Sequence, residues 1–459
     1  MNDEHFVMKK EIDLNRSQAL GEKKISELLW SFSVPAITGM LIMALYNIVD
    51  SIFVGHGVGA IGLAAVTVAF PIMIVFMAFG MLIGVGSTTL ISIRLGQKKH
   101  LEAEKILGNA FFLSVLLSIF SSAPMLLFLD PILVVLGATE DVLPLAHDFS
   151  YIIVSGSIFM FIGFGLNNII RAEGNPKVAM MTMIIAALLN TMLNPLFIFG
   201  LGMGIRGSAA ATIIAQAVSS CWVVAHFLLP HAYLKLRLKN LCPSREIVSE
   251  IFTMGSSVFF MQIAASFVAG LFNYTLASCG GQMAVAAMGV VNRVSMLILM
   301  PIFGISQGAQ PIIGYNFGAQ NYERVRETVK LAAIWATIVA TTGFIAVMLF
   351  DTHIIRLFSD DPALIVIGSN GLKFFLLMLP VIGLQVIGTA FFQATGRPMH
   401  ALSLSMSRQV VILIPLLLVL PRFFGVQGVW LAGPISDLGS SLLAVLLVLP
   451  ALRKLKKRS

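Results

Sequence analysis

Asp50 lies in Leu45-Tyr46-Asn47-Ile48-Val49-Asp50-Ser51-Ile52-Phe53-Val54, inside a stretch from residue 28 to 54 that carries no other charge. A carboxylate in such surroundings can exchange a proton or bind a small hard cation through oxygen. Keeping it there is costly unless it is protonated, solvated or paired. A second deep carboxylate, Asp437 in Gly433-Pro434-Ile435-Ser436-Asp437, shares its half of the chain with Arg293 and Arg408. An Asp–Arg pair that neutralises both charges is the simplest chemistry there, and contact with a bound compound is the alternative. The eight histidines form no zinc or catalytic pattern. Cys221, Cys242 and Cys279 are scattered and odd in number, which gives neither a metal-ligand pair nor a disulfide framework. Gly84-Val85-Gly86 sits in an apolar run and reads as close helix packing, not as a phosphate loop. There is no Walker motif.

The elements that must hold these groups are apolar helices. The chain is 58% hydrophobic and 11% charged, with a mean hydropathy of +0.92; a soluble domain carries roughly 25% charged residues. A helix needs about 20 mostly apolar residues to cross the hydrocarbon core. Uncharged runs of that order recur at 57–93, 106–129, 149–170, 178–205, 207–234, 251–292 and 331–350. The longest must hold two helices, and Cys279-Gly280-Gly281-Gln282 is the expected break in 251–292. Twelve spans are predicted, starting near residues 28, 60, 106, 147, 178, 206, 251, 284, 331, 364, 400 and 427. A transmembrane barrel would alternate apolar and polar residues, whereas these runs are apolar on every side. The first 27 residues lack a signal-peptide core, so the first apolar segment is expected to remain as a helix.

Basic residues gather on one side of this twelve-span arrangement. They fall at Lys9, Lys10, Arg16, Lys23 and Lys24, then at Arg94, Lys98, Lys99 and Lys105, then at Arg171 and Lys177. The central connection carries Lys235, Arg237, Lys239 and Arg245, followed by Arg324, Arg326, Lys330 and Arg397. The tail adds Arg453, Lys454, Lys456, Lys457 and Arg458. Only Arg206, Arg356 and Arg422 fall on the opposite side, with Arg293, Lys373 and Arg408 inside spans. Basic loops stay cytoplasmic, so both termini are expected inside. Topology thus accounts for the net charge of +8 and no nucleic-acid partner is implied. The basic tail reads as an anchor on anionic lipid, and Lys373 as a side chain that snorkels to an interface.

The chain also repeats itself. Gly174 and Gly396 are 222 residues apart, as are Pro176 and Pro398, and as are Gly96 and Gly318. Gly204-Ile205-Arg206-Gly207 and Gly425-Val426-Gln427-Gly428 are offset by 221. Two six-helix halves of like topology follow, related by an axis along the membrane normal. The predicted partition is a cytoplasmic segment 1–27, an N-terminal lobe 28–230, a linker 231–249, a C-terminal lobe 250–452 and a basic tail 453–459. Transporters built from such repeats bind substrate between the halves and rock one against the other.

Several stretches carry a family likeness. They are Leu45-Tyr46-Asn47-Ile48-Val49-Asp50, Arg171-Ala172-Glu173-Gly174-Asn175-Pro176, Leu189-Asn190-Thr191-Met192-Leu193-Asn194-Pro195 and Gly207-Ser208-Ala209-Ala210-Ala211-Thr212. Pro301-Ile302-Phe303-Gly304 and Gln307-Gly308-Ala309-Gln310-Pro311-Ile312-Ile313-Gly314-Tyr315-Asn316-Phe317-Gly318-Ala319 complete the set. In order and spacing the chain resembles the MATE (multidrug and toxic compound extrusion) family over essentially its whole length, most closely the MepA-type and DinF-type bacterial branch. The resemblance implies an all-α, V-shaped membrane protein of twelve helices in two pseudo-symmetric lobes. It implies no enzymatic activity and no cofactor, but export of small organic, often cationic compounds in exchange for protons or sodium, as in antibiotic resistance. Carried over by position, the coupling site comprises Asp50, Tyr46, Asn167, Asn190, Asn194 and Thr212, with Pro35 bending the first helix.

The residues fit that assignment. Asn190 and Asn194 are four apart and share a helix face. Their amides, with Asp50 and the Thr212 hydroxyl, suit either a sodium site or a hydrogen-bond network around a carboxylic acid. Pro35 removes a backbone donor and lets a helix bend. The family usually places an aspartate where this chain has Asn194, so Asp50 is the only formal negative charge of the site, and a proton becomes the favoured coupling ion. Gln262, Asn273, Arg293 and Asp437 are candidates for the substrate cavity; Gln262 and Asn273 equally suit bonding between helices, and for Asp437 with an arginine mutual neutralisation is the favoured reading. Most of the 24 methionines read as packing or lipid-facing. The expected setting is the cytoplasmic membrane, multi-pass, with a monomer sufficient for function. A flippase for lipid-linked precursors, from the same superfamily, is the alternative, but it calls for a cationic cavity. A receptor lacks a signalling domain here, and the 94–99 loop lacks the acidic-basic signature of the major facilitator superfamily.

Overall fold

The computed structural model describes residues 19–230, 232–358 and 361–456. Lys9, Lys10, Arg16, Lys457 and Arg458 of the predicted basic clusters, and His231 at the start of the predicted linker, lie outside these. Among the described residues the regular structure is helical throughout, with no strand. A bilayer demands this, because a helix satisfies its backbone polar groups within one segment.

The helices are α1 (Ile25–Gly57), α2 (Ala60–Gly96), α3 (His100–Leu127), the short α4 (Leu129–Val135), α5 (Leu143–Ser155), α6 (Ser157–Ala172) and α7 (Pro176–Pro195). They continue as α8 (Gly204–Leu228), α9 (Arg245–Gly318), α10 (Tyr322–Arg356), α11 (Pro362–Phe375), α12 (Leu379–Ala394), α13 (Pro398–Met406) and α14 (Ile414–Lys456). π turns extend α7 over Leu196–Gly200 and link α13 to α14 over Ser407–Leu413.

Among the described residues, length and composition give twelve segments able to cross a membrane once the two longest are divided at their breaks, the number the sequence predicts. Helices α1, α2, α3, α7, α8 and α10 each cross once. The pairs α5–α6 and α11–α12 bend by 52° and 50° and give one crossing each. The 74 residues of α9 would reach about 110 Å if straight, far more than a bilayer. The helix breaks at Gly281, with φ 66° and ψ −165°, within the predicted Cys279–Gln282 turn. The segment 398–456 breaks likewise at Gly425, with φ 56° and ψ −135°.

The backbone repeats with the period of the sequence. Gly59 and Gly281 have φ of 85° and 66°, Lys98 and Gln320 both 61°, and Gly174 and Gly396 98° and 70°, each pair 222 residues apart. Gly204 and Gly425 have 57° and 56°, 221 apart. Left-handed backbone is uncommon outside glycine, so its recurrence at Lys98 and Gln320 marks the same turn built twice.

The chain forms two compact units. Of the described residues, one holds those up to Lys23 and those of Thr38–Phe259 and Gly314–Ala319; the other holds those of Lys24–Ile37, Phe260–Ile313 and the described residues from Gln320 onward. In the first, Gly84 and Gly86 let helices approach closely, as predicted. A Cβ at Gly84 would stand 2.9 Å from the Phe164 carbonyl oxygen, and one at Gly86 would collide with the Ile251 carbonyl. Small residues at such contacts replace the hydrophobic drive that lipid cannot supply between helices.

The central connection is tied to that same unit by buried carboxylates. Glu104, 1% exposed, accepts from the Lys235 N–H at 3.3 Å and pairs with Arg237 Nε at 3.1 Å. Glu173 accepts from the Leu234 N–H at 3.2 Å and bonds the His226 ring. Asn109 Oδ1 accepts from the Ser244 N–H at 2.8 Å.

In the second unit, Asp437 is 5% exposed and pairs with Arg408 Nε at 2.6 Å. The Ser436 hydroxyl donates to the Arg408 carbonyl at 2.5 Å. The Asp–Arg pair expected from sequence forms, and Arg408 is the partner that forms it. Lys373 ion-pairs with Asp351 at 3.0 Å, and the Ser369 hydroxyl also donates to Asp351.

Candidate functional site

Four helices of the first unit converge on the predicted coupling residues. Helix α1 brings Tyr46 and Asp50, one turn apart; α6 brings Asn167; α7 brings Asn190 and Asn194; α8 brings Thr212. Asn194 is wholly buried, Asn190 is 2% exposed, Asn167 5% and Thr212 7%. The proline after Asn194 removes a backbone donor, and the π turn Leu196–Gly200 follows directly. Such turns relieve a strained helix and recur where side chains must be aimed.

A continuous line of hydrogen bonds joins Asp50, Asn194, Asn190 and Thr212, and leaves Tyr46 and Asn167 outside it. Asn194 Nδ2 donates to Oδ1 of Asp50 and, at 3.3 Å, to Asn190 Oδ1. Asn190 Nδ2 donates to Thr212 Oγ1 at 3.0 Å. The Ser208 hydroxyl donates to the same Asp50 oxygen at 3.2 Å. Asn194 Oδ1 is buried with no hydrogen-bond partner among the described residues. Two donors therefore meet one carboxylate oxygen, and an open acceptor lies on the neighbouring amide. That combination can hold a carboxylate in an apolar interior and can reorganise when the carboxylate takes up a proton.

The line ends at a partly open cavity of about 100 Å³. Tyr46, Asn167, Asn190 and Thr212 stand in its wall, beside apolar surface from Met43, Phe159, Met160, Phe164, Met183 and Ala186. Asp50 is not in the wall; it lies behind Asn190 and Thr212. The cavity has the character of a small-molecule site, mostly apolar with a few convergent polar groups.

Several residues belong here that sequence reasoning did not select. Ser208 is four residues before Thr212, so the i,i+4 rule places it on the same face of α8. Arg171, expected in a cytoplasmic connection, is instead in the last turn of α6 and 5% exposed. Its Nη2 donates to Asn168 Oδ1 at 2.6 Å, and it reaches the cavity wall with Asn168 and Gln216. Long side chains on a helix lean back toward its N-terminus, which draws this guanidinium from the helix end into the interior, and the C-terminal end of the helix dipole favours a cation there.

The remaining sequence candidates lie elsewhere. Pro35 sits inside the unbroken α1, in the portion assigned to the second unit. Gln262 is half-buried on α9, while Asn273 and Arg293 on the same helix are exposed. Asp437 is buried against Arg408. None of these lines the cavity. Cys221, Cys242 and Cys279 are free and exposed. Among the described residues no three His, Cys, Asp or Glu side chains cluster as metal ligands.

Comparison with known proteins agrees with this architecture. The family model described as MatE matches residues 35–196 and again 257–419, two copies at the spacing of the internal repeat. The multidrug export protein MepA of Staphylococcus haemolyticus (strain JCSC1435) is 29% identical over 427 residues, covering 93% of this chain and 94% of that protein. The solved structure of the MATE multidrug transporter DinF-BH, determined as a complex with a ligand, is 41% identical, with a TM-score of 0.89 over 94% of this chain and 96% of that one. A MATE solved in a bent conformation is 26% identical, with a TM-score of 0.90 over 96% of this chain and 98% of its own. A twofold match to the family model, a shared fold along nearly the whole chain and a polar network beneath an apolar cavity make this a membrane transporter and not an enzyme: the chain belongs to the MatE family.

Proposed function

We propose that this protein exports small amphipathic organic compounds, cations among them, in exchange for protons bound and released at Asp50. One observation carries the reading. The hydrogen-bond line Asp50–Asn194–Asn190–Thr212 begins at the lone carboxylate and ends in the wall of the cavity. Protonation neutralises the group that Asn194 and Ser208 serve as donors, so both are released to find other acceptors. Asn194 is bonded to Asn190, and Asn190 to Thr212, so a change at the carboxylate reaches the surface that contacts a bound compound. A ligand and a proton that favour different arrangements of one network compete, and that competition is the basis of exchange.

Several observations support the finer points. It is the amide nitrogen of Asn194 that faces Asp50, an arrangement that serves a carboxylate and turns a donor toward any cation. With a single formal charge in the network, a proton is better matched than sodium. The apolar wall, rich in methionine and phenylalanine, suits ligands of varied shape. MepA is named a multidrug export protein and DinF-BH a multidrug transporter, which supports the same class of compound here. Pro35 in α1 leaves a carbonyl without its usual partner and gives that helix a place to bend. The distribution of Lys and Arg supports a cell-membrane protein with both termini inside. One chain carries network and cavity complete, so a monomer suffices.

The test is export of a fluorescent lipophilic cation from proteoliposomes holding the purified protein. An imposed pH gradient without sodium should drive it. Export driven by a sodium gradient alone, and absent under the pH gradient, would reject the proton assignment.

A further inference from the structure

A second recess lies in the other unit, where α12, α13 and α14 meet. It is partly open, of about 170 Å³, and is lined by Arg397, His400 and Lys454 together with Phe392, Leu446 and Pro450 among its apolar residues. Its three polar side chains are all basic or titratable to a cation, and no carboxylate lines it. Arg397 immediately precedes α13 and Lys454 is in the last turn of α14, so both stand at helix ends, where the hydrocarbon gives way to headgroups. The His400 ring stacks on Phe392, with centroids 5.1 Å apart and planes at 25°, which holds the imidazole at the rim. The surface beside the recess is apolar and outward-facing: Leu446 is 68% exposed, Leu449 47% and Met399 68%. A basic rim over an apolar flank at a helix end matches a lipid, with phosphate above and acyl chain below.

We propose that this recess binds an anionic phospholipid, its phosphate between Arg397 and Lys454 and one acyl chain along Leu446 and Pro450. Two bases held on different helices distinguish this from the diffuse attraction of a basic tail. They clamp one phosphate from two sides, and the lipid ties the start of α13 to the end of α14. Basic pockets between membrane helices select anionic headgroups for this reason. The site stands apart from the Asp50 network in sequence and in structural unit, and it requires no assumption about coupling ion or exported compound.

The experiment is native mass spectrometry of the purified full chain with dioleoyl phosphatidylglycerol and dioleoyl phosphatidylcholine, which share acyl chains and differ in charge. The wild-type chain should retain the anionic lipid in preference. Lys454→Gln should reduce that preference about five-fold, and Arg397→Gln/Lys454→Gln by more than ten-fold, while phosphatidylcholine retention stays constant. Arg453→Gln, which changes the same charge outside the recess, should leave the preference nearly intact. Lys454 is exposed at a helix end, so its variant tests the site even if substitution at Arg397 disturbs folding. Equal preference in the wild type and the double variant would overturn the proposal, as would equal losses for Arg453→Gln and Lys454→Gln. Displacement of the lipid by millimolar glycerol phosphate would show that the recess recognises free phosphate and not a lipid.

Discussion

Asn194 donates its amide hydrogen to the carboxylate of Asp50 across 144 positions of chain, and so joins α7 to α1. The same amide nitrogen also reaches Asn190 Oδ1 at 3.3 Å, so one side chain serves both the acid and the relay toward the cavity.

Replacing the acid tests the relay at its origin. Asp50→Asn should abolish export driven by a pH gradient, because an amide cannot exchange a proton. The variant should still purify as a monodisperse, thermally cooperative protein, since an amide can keep a polar contact with Ser208 and Asn194. The comparison is fluorescent-cation efflux in proteoliposomes beside a thermal melt in detergent; undiminished coupled efflux would remove Asp50 from the mechanism.

Asn194→Asp should change the coupling ion. A second carboxylate beside the first supplies the charge and oxygen that a sodium ion needs, whereas the present amide turns its nitrogen toward Asp50. Efflux under a sodium gradient at equal pH on both sides should appear in this variant and be absent from the wild type.

Ser208 is the second donor to the same oxygen, at 3.2 Å. Ser208→Ala removes a hydrogen bond to a charged group, worth about 1.5–3 kcal/mol, and should slow coupled efflux by roughly ten-fold or more. Ser208→Thr keeps the hydroxyl and should retain most of the rate. Equal rates in all three proteins would make Ser208 a packing residue.

The Arg408–Asp437 pair should matter to stability and not to coupling. Asp437→Asn removes the partner that Arg408 holds at 2.6 Å; breaking a fully buried pair costs about 3–5 kcal/mol, and the part-exposed Arg408 lowers that cost, so the melting temperature in detergent should fall by a few degrees. Arg408→Met/Asp437→Leu removes both charges and should recover much of that loss. Efflux per folded molecule should be unchanged in the double variant.

The central connection should be protected by the carboxylate beneath it. Glu104→Ala removes the acceptor of the Lys235 N–H and the partner of Arg237. Limited trypsin digestion should then cut near Lys235, Arg237 and Lys239 several-fold faster than in the wild type, read as two half-chain fragments on a gel.

The sequence by itself determined the class of structure and its repetition. Apolar runs of bilayer length can be only helices, and glycines and prolines at a 222-residue offset mark the same turns twice, at Gly174 and Gly396 as at Gly96 and Gly318. It also determined the acid, because a lone charge in 28–54 is conspicuous, and the shared face of Asn190 and Asn194, because four residues make about one turn. Tertiary structure decided which partners those groups take. Along a helix apolar on every side, periodicity does not tell an inward face from a lipid-facing one. Nothing local therefore revealed that Arg171 turns inward to the cavity, that Asp437 takes Arg408, or that Ser208 reaches Asp50. Those choices depend on the angle and rotation at which helices pack, and packing is fixed only when distant segments such as α1, α7 and α8 come together.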